Sequence, residues 1–375
     1  MRALLSLAFA ALVLAAAAGT AHAYPQFQLV RDETCSGCHI SPAGGNLLNE
    51  NGLNTAESMS QFGTNPAFLN GAVTPPSWLV LGGDFRGASG YFQTPQRYLL
   101  TIPMQADLYA DAQWQHFTFH ITGGYRPPEY LNENATRLWS KEHYVQWQSD
   151  VGSPEGVFVR LGRIMPVFGL RLAEHDTYIR QYGGTPLYSE TYGATASYIK
   201  NKYEAHISGW VRDHLIDPAR QDDGGAIYLE SRLTDVAAVG AEAMLQHTVS
   251  DNQYRGGLTG KYFLKGPQVL FQAEVQVNNQ HIGSYGVTKL ISYAGADYFP
   301  KDAWMVELAW GHYDENLRIK GLDRDELDLN VHWFTSSHFE ALLNARVELI
   351  GQASSNVNET GPTGAYVMLM GHYRL

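Results

Sequence analysis

Residues 269–277 read Val-Leu-Phe-Gln-Ala-Glu-Val-Gln-Val, and their alternation is the clearest sign of the fold. Every odd-numbered position is apolar, whereas the even-numbered positions are mostly polar. Because successive side chains of a β-strand point to opposite faces, this period of two predicts a strand with one apolar and one polar face. An amphipathic helix would show a period of 3.6 residues, which is absent here.

The same alternation recurs along the chain after Trp78. Residues 339–349 again place apolar side chains at odd positions and mostly polar ones between them. About 16 such segments can be marked between Trp78 and Leu375, and an even number of short strands is typical of outer-membrane barrels. We therefore expect an all-β fold, a transmembrane antiparallel β-barrel of about 16 strands. A periplasmic β-sandwich or a secreted lectin-like domain is the alternative.

The connections between these segments fit β-hairpins. Polar residues occupy odd positions from Gln105 to Gln113 but even positions from Thr118 to Thr122, so we expect a turn or bulge at residues 114–116. Outer-membrane barrels have long extracellular loops and short periplasmic turns. The long loops are expected at residues 181–190, 216–224 and 351–361.

The chain also ends inside a strand of this kind. Its alternating residues Val367, Leu369, Gly371, Tyr373 and Leu375 are predicted to face lipid, and the residues between them to face the lumen. In a barrel the last strand pairs with the first, so an ending within a strand fits this fold. Outer-membrane proteins usually end on an aromatic residue, and Leu375 takes that place here.

The N-terminus predicts export. Met1-Arg2 gives a positive start, residues 3–18 are a short apolar run, and Ala21-His22-Ala23 matches a small-residue cleavage site. Residues 1–23 are therefore expected to be a signal peptide and Tyr24 the first mature residue. An N-terminal membrane helix is the alternative, but the run is short and lacks a stop-transfer flank.

The chain is acidic, with a formal net charge of −11. Loss of Arg2 with the signal peptide would lower this charge by one unit to −12, because residues 1–23 contain no acidic residue. An acidic balance excludes nucleic acid as an expected partner and favours cationic partners.

The only two cysteines lie in one motif, Thr34-Cys35-Ser36-Gly37-Cys38-His39. In a C-x-x-C-H sequence both thiols can bond to the vinyl groups of one haem, while the next imidazole ligates its iron. We therefore expect one covalent haem c on Cys35 and Cys38, with His39 as an axial ligand. A plain disulfide or a zinc-type metal site stays an alternative, although no second ligand pair occurs downstream at the usual spacing.

A thioredoxin-like redox pair is disfavoured by the residues on the C-terminal side of the motif. Ser41-Pro42-Ala43-Gly44-Gly45 predicts a turn, not the start of a helix. The sixth iron ligand is less clear. Met59, in the amphipathic stretch 46–62, is the nearest downstream methionine and a candidate, with core packing, a barrel histidine or an open site as alternatives.

Residues 162–171, Gly-Arg-Ile-Met-Pro-Val-Phe-Gly-Leu-Arg, followed by His175-Asp176, resemble the G-R-x-x-x-P-x-G-L motif at a strand end of general and phosphate-selective-type Gram-negative porins, with the proline one position earlier. With the leading C-x-x-C-H, the arrangement resembles fused outer-membrane cytochrome-porins. That resemblance implies extracellular electron transfer, notably ferrous iron oxidation. The expected domains are a monohaem cytochrome c segment at 24–77 and a porin-like barrel at 78–375. His175-Asp176 itself is expected to be a surface hydrogen-bonding pair.

One haem cannot bridge an apolar band of about 25 Å, so redox partners must approach from both sides. We expect a periplasmic c-type cytochrome at the plug formed by residues 24–77. A small extracellular redox ion, ferrous iron or another metal ion, would enter the water-filled barrel, which outer-membrane lipid surrounds. Whether the chain also acts as a metal-ion oxidoreductase is left open, and no hydrolase or nucleotide-binding motif occurs.

Charged residues are expected in the lumen. The acidic ones are Asp107, Asp111, Glu274, Glu307, Glu326, Asp328, Glu340 and Glu348. The basic ones are Arg160, Arg163, Arg346 and Arg374. The acidic excess favours cations in the lumen.

Two other functions stay open. The chain could be a passive diffusion porin whose N-terminal gate is stapled by a Cys35–Cys38 disulfide. It could also be a haem enzyme such as a peroxidase, which would need an open sixth site and a distal acid–base residue that the sequence does not identify.

Overall fold

The computed structural model describes residues 25–45, 47–94, 96–125, 138–213, 222–351 and 362–375. The expected signal peptide at 1–23 lies outside the described residues. So do most residues of two expected loops, at 214–221 and 352–361.

The chain after residue 78 forms a closed barrel of 16 antiparallel strands. Each strand pairs with its neighbours in sequence, and β16 closes the ring against β1. In chain order the strands are β1 (Leu79–Thr94), β2 (Gln96–Trp114), β3 (Phe117–Tyr125), β4 (Leu138–Gln148), β5 (Gly156–Ile164), β6 (Thr191–Lys200), β7 (Tyr203–Trp210), β8 (Asp223–Thr234), β9 (Ala237–His247), β10 (Asp251–Leu264), β11 (Val269–Ile282), β12 (Tyr285–Tyr298), β13 (Trp304–Asp314), β14 (Asp323–Ser336), β15 (Phe339–Ile350) and β16 (Pro362–Arg374). The expected fold class is confirmed.

The helices are short and few. Within the described ranges, three precede the barrel, α1 (Phe27–Val30), α2 (Cys35–Cys38) and α3 (Glu50–Met59), together with a 3-10 segment at Phe68–Gly71. The fourth, α4 (Tyr178–Tyr182), lies in the connection between β5 and β6. Among the described residues, no helix combines the length and apolar character needed to cross a membrane.

The alternation in β11 has the expected orientation. Phe271 and Val275 are exposed on the outside of the barrel, whereas Gln272 and Glu274 are buried in the lumen. Leu270 breaks the pattern, because it is apolar at a lumenal position. It is fully buried and packs with Leu29 of α1, so the N-terminal segment explains this exception.

The last strand closes the barrel as its sequence predicts. Val367 and Leu369 are exposed on the outside, and Met368 and His372 are buried inside. Strand β16 pairs with β1 along ten residues, from Asp84 opposite Arg374 to Gln93 opposite Ala365. The turn or bulge expected at residues 114–116, where polar residues change from odd to even positions, is a turn at residues 115–116.

Residues 25–77 close one end of the barrel, and we call this segment the plug. Its contacts lie beside the short turns. Ser36 Oγ donates to the Pro154 carbonyl at 2.6 Å, and the rings of Phe27 and Phe299 are 5.7 Å apart. Thr64 and Ser337 exchange hydrogen bonds of 2.5–3.2 Å. The plug therefore lies at the end of the barrel that carries the short turns, which is the periplasmic end in outer-membrane barrels.

The connection between β5 and β6, residues 165–190, folds into the lumen, and we call it the inner loop. The amide of Leu170 donates to Glu274 of β11 at 2.7 Å, and the amide of Tyr178 to Glu326 of β14 at 2.7 Å. The expectation of an extracellular loop at 181–190 is therefore wrong for this part of the chain, because backbone amides of the same connection are satisfied by lumenal carboxylates.

Candidate haem site

The two cysteines lie on a single helical turn. Thr34 caps α2, and its hydroxyl accepts a hydrogen bond from the Gly37 amide at 3.1 Å. Positions i and i+3 share one face of a helix, so Cys35 and Cys38 lie on the same side of the turn. His39 follows in an extended conformation, with φ −112° and ψ 153°, and ends the helix. Both thiols are free in the structure.

Asn49 fixes this turn against α3. Its side-chain amide donates to the carbonyls of Ser36 and Gly37 at 3.0 and 3.1 Å, which are left unpaired at the end of a short helix. Its side-chain oxygen accepts from the Gly52 amide at 2.9 Å and caps α3. The backbones of His39 and Leu48 also pair as an isolated antiparallel β-bridge. Sequence reasoning missed Asn49, although an Asn before a helical stretch is an N-cap signal.

A cavity of about 690 Å³ lies against this turn, and we call it the plug cavity. Cys35, Cys38, His39 and Met59 all line it, so the structure brings together every site residue predicted from the sequence. Gly44 and Gly45 of the following turn also line it, as does Arg171 of the inner loop.

His39 is buried but its ring makes no hydrogen bond. It is 3% exposed, and neither Nδ1 nor Nε2 has a partner at full hydrogen-bond geometry, although the backbone of Gly45 and Leu47 lies near enough to raise its pKa. Burial lowers the pKa of His39 to about 3, and the Arg374 guanidinium acts in the same direction. The ring is therefore neutral at physiological pH, which is the form that binds iron. A buried imidazole without partners costs stability unless something fills its ring-nitrogen positions.

The surroundings of the two thiols disfavour their thiolate forms. Burial raises the pKa of Cys38 to about 11, and the nearby Glu33 carboxylate acts in the same direction. Burial also raises the pKa of Cys35. A high thiol pKa disfavours a thiolate-bound metal and rapid disulfide exchange. Within the described ranges, no three His, Cys, Asp or Glu side chains come together as a metal site.

Met59 is the last residue of α3 and has two environments. It packs in a buried cluster with Phe27, Met305 and Phe334, as a core residue would. It also lines the plug cavity, where it is the only methionine among the described lining residues and His39 the only histidine. Its role as sixth ligand stays a prediction.

The residues of the plug cavity fit a covalent haem. Two thiols on one face, an adjacent neutral imidazole and a methionine line one cavity. These are the groups that hold haem c in proteins with a C-x-x-C-H motif.

Arg171 joins the inner loop to this cavity. One of its nitrogens, Nη2, donates to Glu204 at 2.7 Å, while Nε and Nη1 are buried without hydrogen-bond partners. The sequence placed Arg171 only at the end of a porin-like motif. Nothing in that motif indicates that the loop would fold inward and bring Arg171 to the cysteines.

A second, larger cavity of about 1,790 Å³ lies in the lumen beside the inner loop, and we call it the lumenal chamber. His39, Ala43, Gly44, Gly45 and Arg171 line both the plug cavity and this chamber. His39 and the turn after it therefore form the wall between the two volumes. From there the chamber extends to residues 102 and 125, toward the end with the long connections.

His175 and Asp176 lie in the lumen as well. His175 lines the chamber, and Asp176 contacts Arg346 and Tyr366 of the barrel wall. The expectation of a surface pair is therefore wrong. The pair lies inside because the inner loop carries it across the barrel.

Comparison with solved structures finds outer-membrane porins. The outer-membrane protein OmpT of Vibrio cholerae superposes with a TM-score of 0.61 at 9% identity, covering 81% of this chain and 100% of that one. The anion-selective porin of Comamonas acidovorans gives 0.58 at 12% identity, covering 79% and 99%. OprB of Pseudomonas putida gives 0.57 at 7% identity, covering 79% and 94%.

No protein-family model matches the chain, and no curated protein sequence matches it. The solved structures are too distant in sequence to show more than a shared fold, and none of these three is described as a fused cytochrome. The chain therefore has the fold of the Gram-negative outer-membrane porins, a porin-like channel barrel with a helical segment at its N-terminus.

Proposed function

We propose that this chain is an outer-membrane porin-cytochrome that moves electrons between a periplasmic cytochrome and a small redox partner in the barrel. The observation that carries the proposal is His39. Its buried ring has no hydrogen-bond partner, and it lines the same cavity as the thiols of Cys35 and Cys38. A diffusion pore has no need for this combination.

Cys35 and Cys38 would hold the haem by thioether bonds, and His39 would ligate its iron. Haem supplies reversible one-electron exchange when bound. Arg171 would bind a negatively charged edge of the cofactor, because two of its donor nitrogens are buried at the cavity without partners. Met59 would be the candidate for a second protein ligand of the iron, because it lines the same cavity as His39.

The position of the plug cavity supports contact with partners from two directions. On the periplasmic side its lining includes Pro25, Arg31 and Glu33, and Arg31 is exposed for a docking protein. On the lumenal side His39 separates it from the chamber, which a small solute could reach through the barrel. A periplasmic c-type cytochrome and a small ion are the partners that this arrangement favours.

The test is the haem content of the outer-membrane fraction from a host that matures c-type cytochromes. We expect haem staining after denaturing electrophoresis and a thioether-type pyridine haemochrome spectrum. The Cys35→Ser/Cys38→Ser variant should lose both signals while its barrel still migrates as a folded, heat-modifiable band. A wild-type barrel that is folded but carries no covalent haem would refute the proposal.

The second candidate is a passive diffusion porin, and the shared fold favours it because the similar solved structures are outer-membrane porins. In this case the plug would be a gate whose cysteines pair in the oxidising periplasm. It predicts bilayer conductance that changes on addition of reductant, and a purified protein without visible absorbance. Conductance that is unaffected by reductant, from a protein with a haem spectrum, would exclude this candidate.

A further inference from the structure

The lumenal chamber has a charge balance opposite to that of the whole chain. The chain carries a formal charge of −11. Six basic side chains line the chamber against four carboxylates. The basic residues are Arg86, Lys141, Arg160, Arg171, Arg180 and Arg374, and the acidic ones are Asp84, Asp107, Glu142 and Glu190. An excess of positive charge in an enclosed volume attracts anions.

Arg160 points to a ligand because two of its three guanidinium nitrogens have no hydrogen-bond partner. It is 2% exposed and lies on β5, where Nη1 donates to the Ser41 hydroxyl of the plug at 3.2 Å. Its Nε and Nη2 are buried and have no hydrogen-bond partner. A buried guanidinium with open donors is costly unless an anion or ordered water completes it.

The carboxylates of the chamber are largely engaged with their own neighbours. Asp84 accepts from Tyr109 at 2.6 Å and contacts His372 at 2.8 Å. Lys141 lies 3.9 Å from Asp107 and 4.0 Å from Glu190. Arg171 is paired with Glu204 at 2.7 Å, so Arg160 is the chamber cation whose open donors remain uncommitted.

We propose that the lumenal chamber binds small multivalent anions, and that the redox partner reaching His39 from the lumen is an anionic metal complex. This inference rests on the proposed function for its redox part, but not for anion binding. It replaces the expectation that the partner is a bare metal cation. That expectation counted the acidic residues along the whole lumen, not those that line the chamber. In the encounter one electron passes to or from the anionic complex, and no bond is made or broken.

The redox part is tested by stopped-flow oxidation of the reduced protein with ferricyanide and with hexaammineruthenium(III), which carry equal and opposite charges. The Arg86→Gln/Arg160→Gln variant should slow the ferricyanide reaction about tenfold, the lower range for electrostatic steering, and should not slow the ruthenium reaction. Arg255→Gln is the matched control, because Arg255 is a lumenal arginine that does not line the chamber. Equal effects of the double variant on both reagents would overturn the redox part.

Anion binding is tested without haem. Calorimetric titration of ferrocyanide into the Cys35→Ser/Cys38→Ser protein should show saturable binding, and adding Arg86→Gln and Arg160→Gln should weaken it about tenfold or more. Binding by a wild-type protein that never carries haem would leave the anion site standing while the proposed function fails. Absence of ferrocyanide binding to the folded barrel would overturn the anion site itself.

Discussion

Asn49 holds the geometry of α2, the turn that carries Cys35 and Cys38, through both ends of its side chain. The nitrogen donates to carbonyls at the end of α2, and the oxygen accepts from an amide at the start of α3. A single residue therefore sets the position of Cys38 and His39 relative to the helix that ends at Met59. Close packing supports the same arrangement, because a side-chain carbon at Gly52 would collide with the Cys38 carbonyl oxygen.

We predict that Asn49→Ala destabilises the plug. Loss of the N-cap alone costs about 1 kcal/mol, and the Ser36 carbonyl loses its donor, whereas the Gly37 carbonyl still accepts from Asn51. Faster proteolysis within residues 25–77 and a lower yield of covalent haem should report this loss. Asn49→Asp is the informative partner, because it keeps the acceptor for Gly52 but removes the donor. Equal behaviour of Asn49→Asp and wild type would contradict the role of the donor.

We predict that Met59→Leu lowers the reduction potential and changes the visible spectrum, because methionine ligation raises the potential of haem iron. A swap of Met for Leu in a core usually costs less than about 1.5 kcal/mol, so the plug should stay folded. Met305→Leu is the matched control, since Met305 lies in the same buried cluster without lining the cavity. The same potential in all three proteins would assign Met59 to core packing.

Residues whose chemistry needs a fixed local spacing can be recognised from the sequence. Cys35, Cys38 and His39 are recognised from five consecutive positions. Asn49 and Arg171 serve the same cavity from other parts of the chain, and their contacts depend on how the segments pack. Such contacts leave no regular spacing in the sequence.

The inner loop is the element that gives the lumen its shape. Gly169 allows the loop to fold into the lumen, because its φ is +66° and a carboxylate of β11 lies directly against it. A side-chain carbon at that position would lie 2.6 and 2.9 Å from the two oxygens of Glu274. The neighbouring amide of Leu170 donates to the same carboxylate, so any shift of Gly169 also loosens this hydrogen bond.

We predict that Gly169→Ala detaches the inner loop from β11. The positive φ alone costs about 1–2 kcal/mol for alanine, and the contact with Glu274 adds to it. Limited proteolysis should cut faster within residues 165–190. Gly152→Ala is the matched control, because Gly152 has a φ of +75° with no atom within 4 Å of the added carbon. Equal protease sensitivity of the two variants would show that the contact with Glu274 is unimportant.

Strands were predictable and the inner loop was not, for a physical reason. A strand with one face in lipid and one in the lumen repeats every two residues, and this repeat is visible over a few positions. The path of residues 165–190 depends on carboxylates of β11 and β14, which lie far away in sequence. Its polar composition is equally typical of an extracellular loop.

The contact between plug and barrel is the feature of the whole molecule that joins its two parts. Leu29 of the plug packs on Leu270 and Phe263 of the barrel, and Gln28 lies between Lys261 and Glu204. Leu270 and Phe263 are therefore contacts for the plug, whereas other apolar residues at lumenal strand positions, such as Ile291 and Met244, pack on the inner loop. The contacts with the plug position its cavity at the end of the lumen that carries the short turns.

We predict that Leu29→Ala and Leu270→Ala each weaken docking of the plug by about 2–5 kcal/mol, since each leaves a buried cavity. Their effects should be non-additive by about 0.5–3 kcal/mol, because the two side chains are in contact. Denaturant-dependent proteolysis of the plug in lipid vesicles measures both quantities. Leu329→Ala, on the lipid-facing side, should leave plug docking unchanged. Full additivity would argue against direct packing.

Every redox role proposed for the molecule depends on haem bound covalently through both cysteines of the plug. Intact-protein mass spectrometry of the mature chain, purified from the outer membrane of a host that matures c-type cytochromes, measures this binding. We predict the mass of the mature chain plus one haem, and no haem addition in the Cys35→Ser/Cys38→Ser variant. A wild-type mass equal to the chain alone, or to the chain less two hydrogens from a disulfide, would contradict covalent haem binding.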